Sequence, residues 1–462
     1  MGLNDAMGKL GKGRGVRPRA PRTSAAWLAM LLAGCLWCGL GCGSVETPRP
    51  PPYITYTYDS QTREIINILA GESEGSPYRE FDQRFTGLFV PASLFAMEPL
   101  VLGLSTESRI PTILLLEAHW VKRYGRSGWL HELEHSQVKF AKETLVPRLA
   151  EIFSIALPGA LDSRGKELMA VPTSIKGNVL FFRQDLLERH QFKPPRNWEE
   201  LKAICRRILP QEKQLKYGLL LHPLGFINDF FPIFWGFGGQ ITDDSRFVLG
   251  EPQNQAAFLA AFKEIQGMQG TILPGAKDMK QFEAENAVEQ SFFRGEALFM
   301  ISWNTRLKDL REWVKGKSPG GLSAMSQVGL APIPSRPGQA RRYTNLDSLG
   351  WAVNSFAAKA RNALQVMDAV KQFLGLVVNE PFQLKAAEFW DEVPSLRGAL
   401  EKVKNPQVLQ VYNDVFAASD VDIRMRPHSR RLNNNLEKYL REALYGQQTP
   451  EAALQGVLQA PK

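Results

Sequence analysis

The chain has 462 residues, 44% of them hydrophobic and 10% aromatic; that length exceeds one ordinary core, and the composition excludes a disordered chain. A formal charge of +9 would suggest a polyanionic partner if it were spread over the folded surface. Instead Lys9, Lys12, Arg14, Arg17, Arg19 and Arg22 against Asp5 place +5 of it in residues 1–34, which argues against nucleic acid.

Residues 1–34 have the parts of an export signal: a basic start, an apolar run from Ala25, and small residues at a processing site. The run is about 16 residues long, short of the roughly 20 that a spanning helix needs. Leu32-Ala33-Gly34-Cys35 has the form of a bacterial lipoprotein signal, with Cys35 as the acylated first residue. Cys42, after Leu40-Gly41, is the alternative, although Gly39 three positions before it fits less well. Residues 35–52 then form a tether whose last ten residues, GSVETPRPPP, favour an extended spacer. Of the four cysteines only Cys205 lies beyond this region, so no disulfide framework or zinc-type spacing is present.

Ile54–Tyr58 alternates in a strand pattern, and Ile65, Ile66 and Leu69 mark one face of a helix over Gln61–Leu69. Leu88–Val90 is expected as a second strand and Ser93–Leu104 as a second helix. Ile113–Leu116 is wholly apolar, as suits a parallel strand buried on both faces, and it ends in Glu117-Ala118-His119-Trp120. The Glu117–His119 pair fits a polar rim better than acid–base chemistry; Trp120 is either a stacking ring or a helix-packing residue. Glu167–Arg183 reads as strand, Pro-Thr-Ser break, strand. Asn197 and Glu200 form a capping-box-like start for a helix whose inward stripe is Leu201, Ile204, Cys205 and Ile208. A reactive thiol needs an exposed, electropositive setting, so Cys205 reads as core.

Phe230, Phe231, Phe234, Trp235 and Phe237 crowd one segment, with room for one or two rings to face a ligand. In Arg294–Arg306 a helix stops at Gly295, a buried strand follows over Ala297–Ser302, and Trp303, Asn304 and Arg306 sit past its carboxyl edge, where α/β sheets hold ligands. Gln327–Pro334 and Leu349–Asn354 read as further strands. Ala363, Met367, Val370 and Leu374 form a helix stripe closed by Gly375, and Trp390–Arg397 reads as a loop. Arg424–Arg431 is the one dense basic cluster of the body, a solvated helix start or an anion clamp; two amphipathic helices follow. No repeat, phosphate loop, metal spacing or serine elbow appears.

In order and spacing, Pro111–Leu130, Ala170–Leu187, Pro194–Leu201, Phe292–Trp303, Val328–Pro334, Leu349–Leu374, Val393–Arg397 and Arg426–Leu454 resemble the solute-binding proteins of bacterial ABC importers, in particular the sugar-binding group that includes maltose-binding proteins. The resemblance implies a periplasmic-binding-protein-like α/β fold of two lobes, a multi-crossover hinge and a central ligand cleft. Residues 53–170 would form lobe 1, completed by about 303–345, and 171–302 lobe 2, completed by about 346–462. It implies a monomeric, extracytoplasmic receptor in the periplasm or at the cell surface that passes a carbohydrate to permease subunits, without catalysis, cofactor or metal. Positions matching its cleft-facing segments are Asp59, Glu117, His119, Trp120, Lys176, Asn178, Phe231, Trp235, Trp303, Asn304 and Asp347. Lys176, and Arg430-Arg431-Leu432 where relatives often carry a tyrosine, depart from the pattern and raise an anionic sugar or phosphorylated solute as the alternative. A sensory binding protein is a second use of the same fold. An enzyme like the thiaminases would need a cysteine nucleophile, which Cys205 on a core stripe does not offer.

Overall fold

In the computed structural model, which describes residues 54–89, 111–136, 138–155, 166–243, 246–316, 321–359, 362–425, 427 and 430–460, the apolar runs assemble into two mixed sheets. All of these residues fall in the unit Pro51–Lys462. Cys35, Cys42, the signal and tether, Val90, the helix expected at Ser93–Leu104, Arg426 and His428 lie outside the described residues.

The first sheet runs Phe85–Phe89, Ile54–Tyr58, Ile113–Glu117, Leu349–Asn354, Leu130–His131, with Ala170–Pro172 also pairing against Leu349–Asn354. Its first three strands are parallel. Ile113–Leu116 is buried throughout, the condition that its unbroken apolar run predicts. The second sheet runs Tyr217–Leu220, Ala297–Trp303, Asn178–Arg183, Val328–Ala331. Side chains of a strand alternate between faces, and the central strand divides its residues accordingly. Val179 and Phe181 join the hydrophobic cluster that contains the first sheet, whereas Leu180 and Phe182 join a second cluster with Trp198 and Phe230.

The return strands complete the sheets in the opposite sense to the expectation. Val328–Ala331, within 303–345, pairs with Asn178–Arg183 in the second sheet. Leu349–Asn354, within 346–462, pairs with Ile113–Glu117 in the first. Pairing partners far apart in sequence are chosen by buried surface and register, which periodicity does not encode. The terminal helices, Arg430–Leu444 and Pro450–Gln459, do pack into the second cluster. Gly375 does not end its helix, which runs Ala363–Val377; the next one, Glu380–Trp390, is capped by Asn379 accepting the Phe382 N–H. Within Trp390–Arg397, Val393–Pro394 forms a short strand against Ser174–Ile175.

Local chemistry explains the remaining boundaries. Asp59 caps Ser60–Gly71 by accepting the Thr62 N–H at 2.8 Å. Asn197 accepts the Glu200 N–H at 2.9 Å, and the Glu200 carboxylate reaches back to the Arg196 N–H at 2.7 Å. Two otherwise unpaired donors at the start of Trp198–Ile208 are thereby satisfied. Trp198 and Cys205 are fully buried on that helix, and burial pushes the Cys205 thiol up, leaving it unreactive.

Between the helix Ala287–Phe293 and the strand Ala297–Trp303 the chain turns at Gly295, whose φ is +75°. A Cβ there would lie 3.1 Å from Arg183 Nη1. Gly295→Ala is expected to lower unfolding free energy by about 1–2 kcal/mol, seen as a lower urea midpoint; an unchanged midpoint would contradict the assignment.

Candidate ligand cavity

The helix Ala118–Arg126 buries Trp120, Val121, Tyr124 and Gly125. Helical spacing then places His119, Lys122, Arg123 and Arg126, at i, i+3, i+4 and i+7, together on its other face. Facing it is the helix Phe226–Gly236, which follows Gly225 at φ +76°. Phe231 and Trp235, one turn apart, stack there at 5.3 Å with their planes 9° apart. A third wall comes from Val421–Arg424, a strand paired with Arg342–Asn345. Between these elements lies a cavity of about 390 Å³, lined by His119, Lys122, Arg123, Arg126 and Ile152 on one side and Phe231, Trp235, Gln240, Ile241 and Thr242 on the other. Ile423, Arg424, Met425 and Pro427 close it.

Charge and aromatic faces are interleaved in its walls. The Arg424 guanidinium lies 5.9 Å from the Trp235 ring and 4.5 Å from Tyr343, and its Nε donates to Asp422 at 3.1 Å. Arg123 lies 5.4 Å from the Trp120 ring. His119 Nδ1 is 3.1 Å from Glu117 Oε2, a rim contact that orients the imidazole.

Of the positions singled out from sequence, His119, Phe231 and Trp235 line this cavity. Trp120 is buried against Tyr124 at 5.2 Å and packs its helix. Asn304 is also enclosed: its Oδ1 accepts the Gly177 N–H at 2.8 Å and its Nδ2 donates to the Asp391 carbonyl at 3.0 Å. Asn178 is buried with its Nδ2 donating to Asp229 at 3.1 Å, opposite the half-buried Trp303 in the strand register. These three residues stitch the interior and do not line the cavity. Lys122, Arg123, Arg126, Gln240 and Thr242 do line it and were missed. The cationic set was legible as a helical stripe in AHWVKRYGR, hidden by the more conspicuous Trp120.

Asp59, Glu117, Lys176 and Asp347 form a separate group where the chain passes between the sheets. Burial disfavours the Lys176 ammonium, but Asp347, Glu392, Asp59 and Glu117 outweigh it and hold the group protonated, above its ordinary range. Asp347 also donates its N–H to the Lys176 carbonyl at 2.9 Å, and Ser174 donates its hydroxyl to Glu392. The Lys176 charge is thus favoured by carboxylates, and the residue lies outside the lining of the cavity described above. The helix Arg430–Leu444 likewise begins in the basic region Arg424–Arg431, with Leu432 buried in the second cluster.

Behind the aromatic pair, His222 Nδ1 meets Asp229 Oδ2 and its Nε2 meets Glu289 Oε1, both at 3.0 Å. Arg306 Nε also reaches Glu289 Oε1 at 3.0 Å. Burial alone would lower the imidazole, yet Asp229 and Glu289 push it up to about 10. Against burial, His222 and Arg306 hold Glu289 at about 2. Elsewhere Glu132, His135 and Glu167 bring ligand-type atoms within 4.8 Å of one another. Their contact is an ion pair, His135 Nδ1 to Glu167 Oε2 at 2.8 Å, on residues that do not line the cavity.

A model of the bacterial extracellular solute-binding protein family matches residues 102–410, and the chain belongs to that family. A probable ABC transporter-binding protein of Deinococcus radiodurans is 25% identical over 264 residues, 54% of each chain; the chain thus spans about half the length of this curated relative. Among solved structures, maltose-bound MalE3 of T. maritima superposes with a TM-score of 0.63 at 21% identity, over 88% of this chain and 97% of that one. The sugar-binding protein MalE of Xanthomonas citri gives a TM-score of 0.63 at 15% identity, over 88% and 95%. These likenesses establish the periplasmic-binding-protein α/β fold. Among the described residues no helix is long and apolar enough to cross a membrane.

The buried imidazolium makes stability depend on pH in a defined direction. Its contribution is complete below its ordinary value of 6.5 and is lost as pH rises through about 10. His222→Gln leaves two buried carboxylates without this cation and is expected to cost about 3 kcal/mol at pH 6. In urea unfolding, the gap between wild type and variant should close between pH 6.5 and 10; a gap constant with pH would contradict the charged assignment.

Proposed function

We propose that this chain is a lipid-anchored extracytoplasmic receptor that captures a carbohydrate and delivers it to the permease subunits of an ABC importer. The observation that carries the reading is the cavity between the 118–126 and 226–236 helices. Its volume of about 390 Å³ lies within the range of roughly 300–1,000 Å³ typical of small-molecule sites. The stacked Phe231 and Trp235 offer a flat apolar platform for the C–H face of a sugar ring, and Gln240 and Thr242 add hydrogen-bonding groups. Relatives of the same fold support it: one is maltose-bound, another is named a sugar-binding protein, and the Deinococcus relative is named for an ABC transporter.

Because the walls belong to different layers, a ligand that touches both favours the state in which they approach. Binding and closure are then one equilibrium. Acylation at Cys35, or at Cys42, would hold the body at the outer face of a membrane through the tether. Nothing in this scheme calls on catalysis, a cofactor or a second copy of the chain.

A thermal-shift screen of the full-length protein in non-ionic detergent, against maltose, maltotriose and other oligosaccharides, tests the reading. A ligand that binds only the folded state adds about 2.7 kcal/mol at a hundredfold excess over its Kd. Trp235→Ala should weaken the best ligand at least about tenfold. A shift that survives Trp235→Ala unchanged, or no shift with any carbohydrate, would contradict it.

A further inference from the structure

Outside the lining of the cavity, Glu132, His135 and Glu167 bring an imidazole nitrogen and two carboxylate oxygens within 4.8 Å of one another. His135 Nδ1 lies 2.8 Å from Glu167 Oε2 and 3.8 Å from Glu132 Oε1, so a single nitrogen faces both acids. The buried group around His222 is built differently: each ring nitrogen meets its own carboxylate, and Arg306 adds a second cation on Glu289. At Glu132 and Glu167 two carboxylates share one imidazole. Burial, with the Glu167 charge, holds the Glu132 carboxyl above its ordinary range despite the His135 N–H that it accepts. Lysines of the adjoining stretches are engaged elsewhere, Lys142 with Glu134 at 3.7 Å and Lys166 with Glu151 at 3.2 Å.

We propose that Glu132, His135 and Glu167 form a binding site for a divalent transition-metal ion of the Zn²⁺ type. Two carboxylates and a neutral imidazole balance a double positive charge, and a nitrogen beside two oxygens suits zinc better than calcium or magnesium. Donor atoms around a tetrahedral zinc lie about 3.3–3.6 Å apart, so small side-chain rotations close the set, with water as the fourth ligand. The backbone is already in place. The Leu133 N–H donates to the Leu168 carbonyl at 2.9 Å and the Phe140 N–H to the Leu133 carbonyl at 2.9 Å, which fastens the loop carrying Glu132 and His135 to the strand carrying Glu167. Glu167 is buried and the His135 side chain is 46% exposed, giving a fixed anchor and an entry path. Glu167–Leu168 in turn pairs with Ser154–Ile155, which follows the helix Pro147–Ile152, and Ile152 lines the cavity. The ion thus braces that wall and takes no part in holding solute.

The test uses the full-length protein in non-ionic detergent, stripped with EDTA, desalted, and titrated with ZnCl₂ or, separately, CaCl₂ while the melting temperature is followed. Zn²⁺ is expected to raise it by about 2 °C or more at a hundredfold excess over its Kd, and Ca²⁺ to do less. His135→Ala and Glu132→Ala each remove one donor and should weaken Zn²⁺ by at least about tenfold. Each variant is read against its own EDTA-treated form, so a lower starting stability does not disguise the loss. A full Zn²⁺ response retained in either variant, as ions held by Cys35, Cys38 and Cys42 would give, overturns the proposal. So does the absence of any Zn²⁺ response, or a Ca²⁺ response equal to it. None of these outcomes bears on the receptor reading.

Discussion

The position of both cavity walls depends on how the chain is held where it passes between the two sheets, and there a buried ammonium, Lys176, lies in the field of four carboxylates. Lys176 sits on the passage between Pro172 and Asn178, and Asp347 on the return between Asn345 and Leu349. Asp59 is the cap of Ser60–Gly71, Glu117 ends the central strand of the first sheet, and Glu392 precedes Val393–Pro394. Carboxylates from four other stretches of chain therefore favour this one charge. Asn304 fixes the same region through backbone, tying Gly177 to Asp391. The passages are thus pinned by polar contacts of defined geometry, while the layers on either side are held by apolar packing.

That division sets what each wall contributes. The first layer presents a cationic helical stripe because Trp120, Val121, Tyr124 and Gly125 take up its apolar face. The second presents aromatic rings because Phe226–Gly236 is buried nearly all round, so that even residues turned toward the cavity are apolar. His222, Asp229, Glu289 and Arg306 support this helix and the adjoining strand from behind. A site assembled this way has an aromatic platform on one side and a cationic face on the other.

Much of the architecture was legible because it is local. The alternation in Ile54–Tyr58, the unbroken run Ile113–Leu116, the Asn197–Glu200 cap and the stop at Gly295 each arise from the chemistry of a few neighbouring residues. The sheet to which Val328–Ala331 and Leu349–Asn354 belong was not legible, because either strand has the apolar content to pair with either sheet. A glycine in the left-handed conformation just past a helix is a strong stop. Gly295 is one, and Gly375, inside its helix, is not. For the site, His119 was identifiable as a polar residue past a strand end, and Phe231 and Trp235 as members of a crowded aromatic segment. Lys122, Arg123 and Arg126 carry no motif of their own, and only the facing helix makes them a wall. Asn304 and Trp120 were misleading for one reason: a polar or aromatic residue just past a strand serves packing as readily as it serves a ligand.

Hydrogen exchange read by mass spectrometry, with and without the carbohydrate or sugar phosphate that gives the largest thermal shift, tests the central claim most directly. The account predicts that binding slows exchange together in residues 118–126, 226–242 and 421–425, because one solute bridges all three walls. Protection confined to one layer, or absent from all three segments, would contradict it.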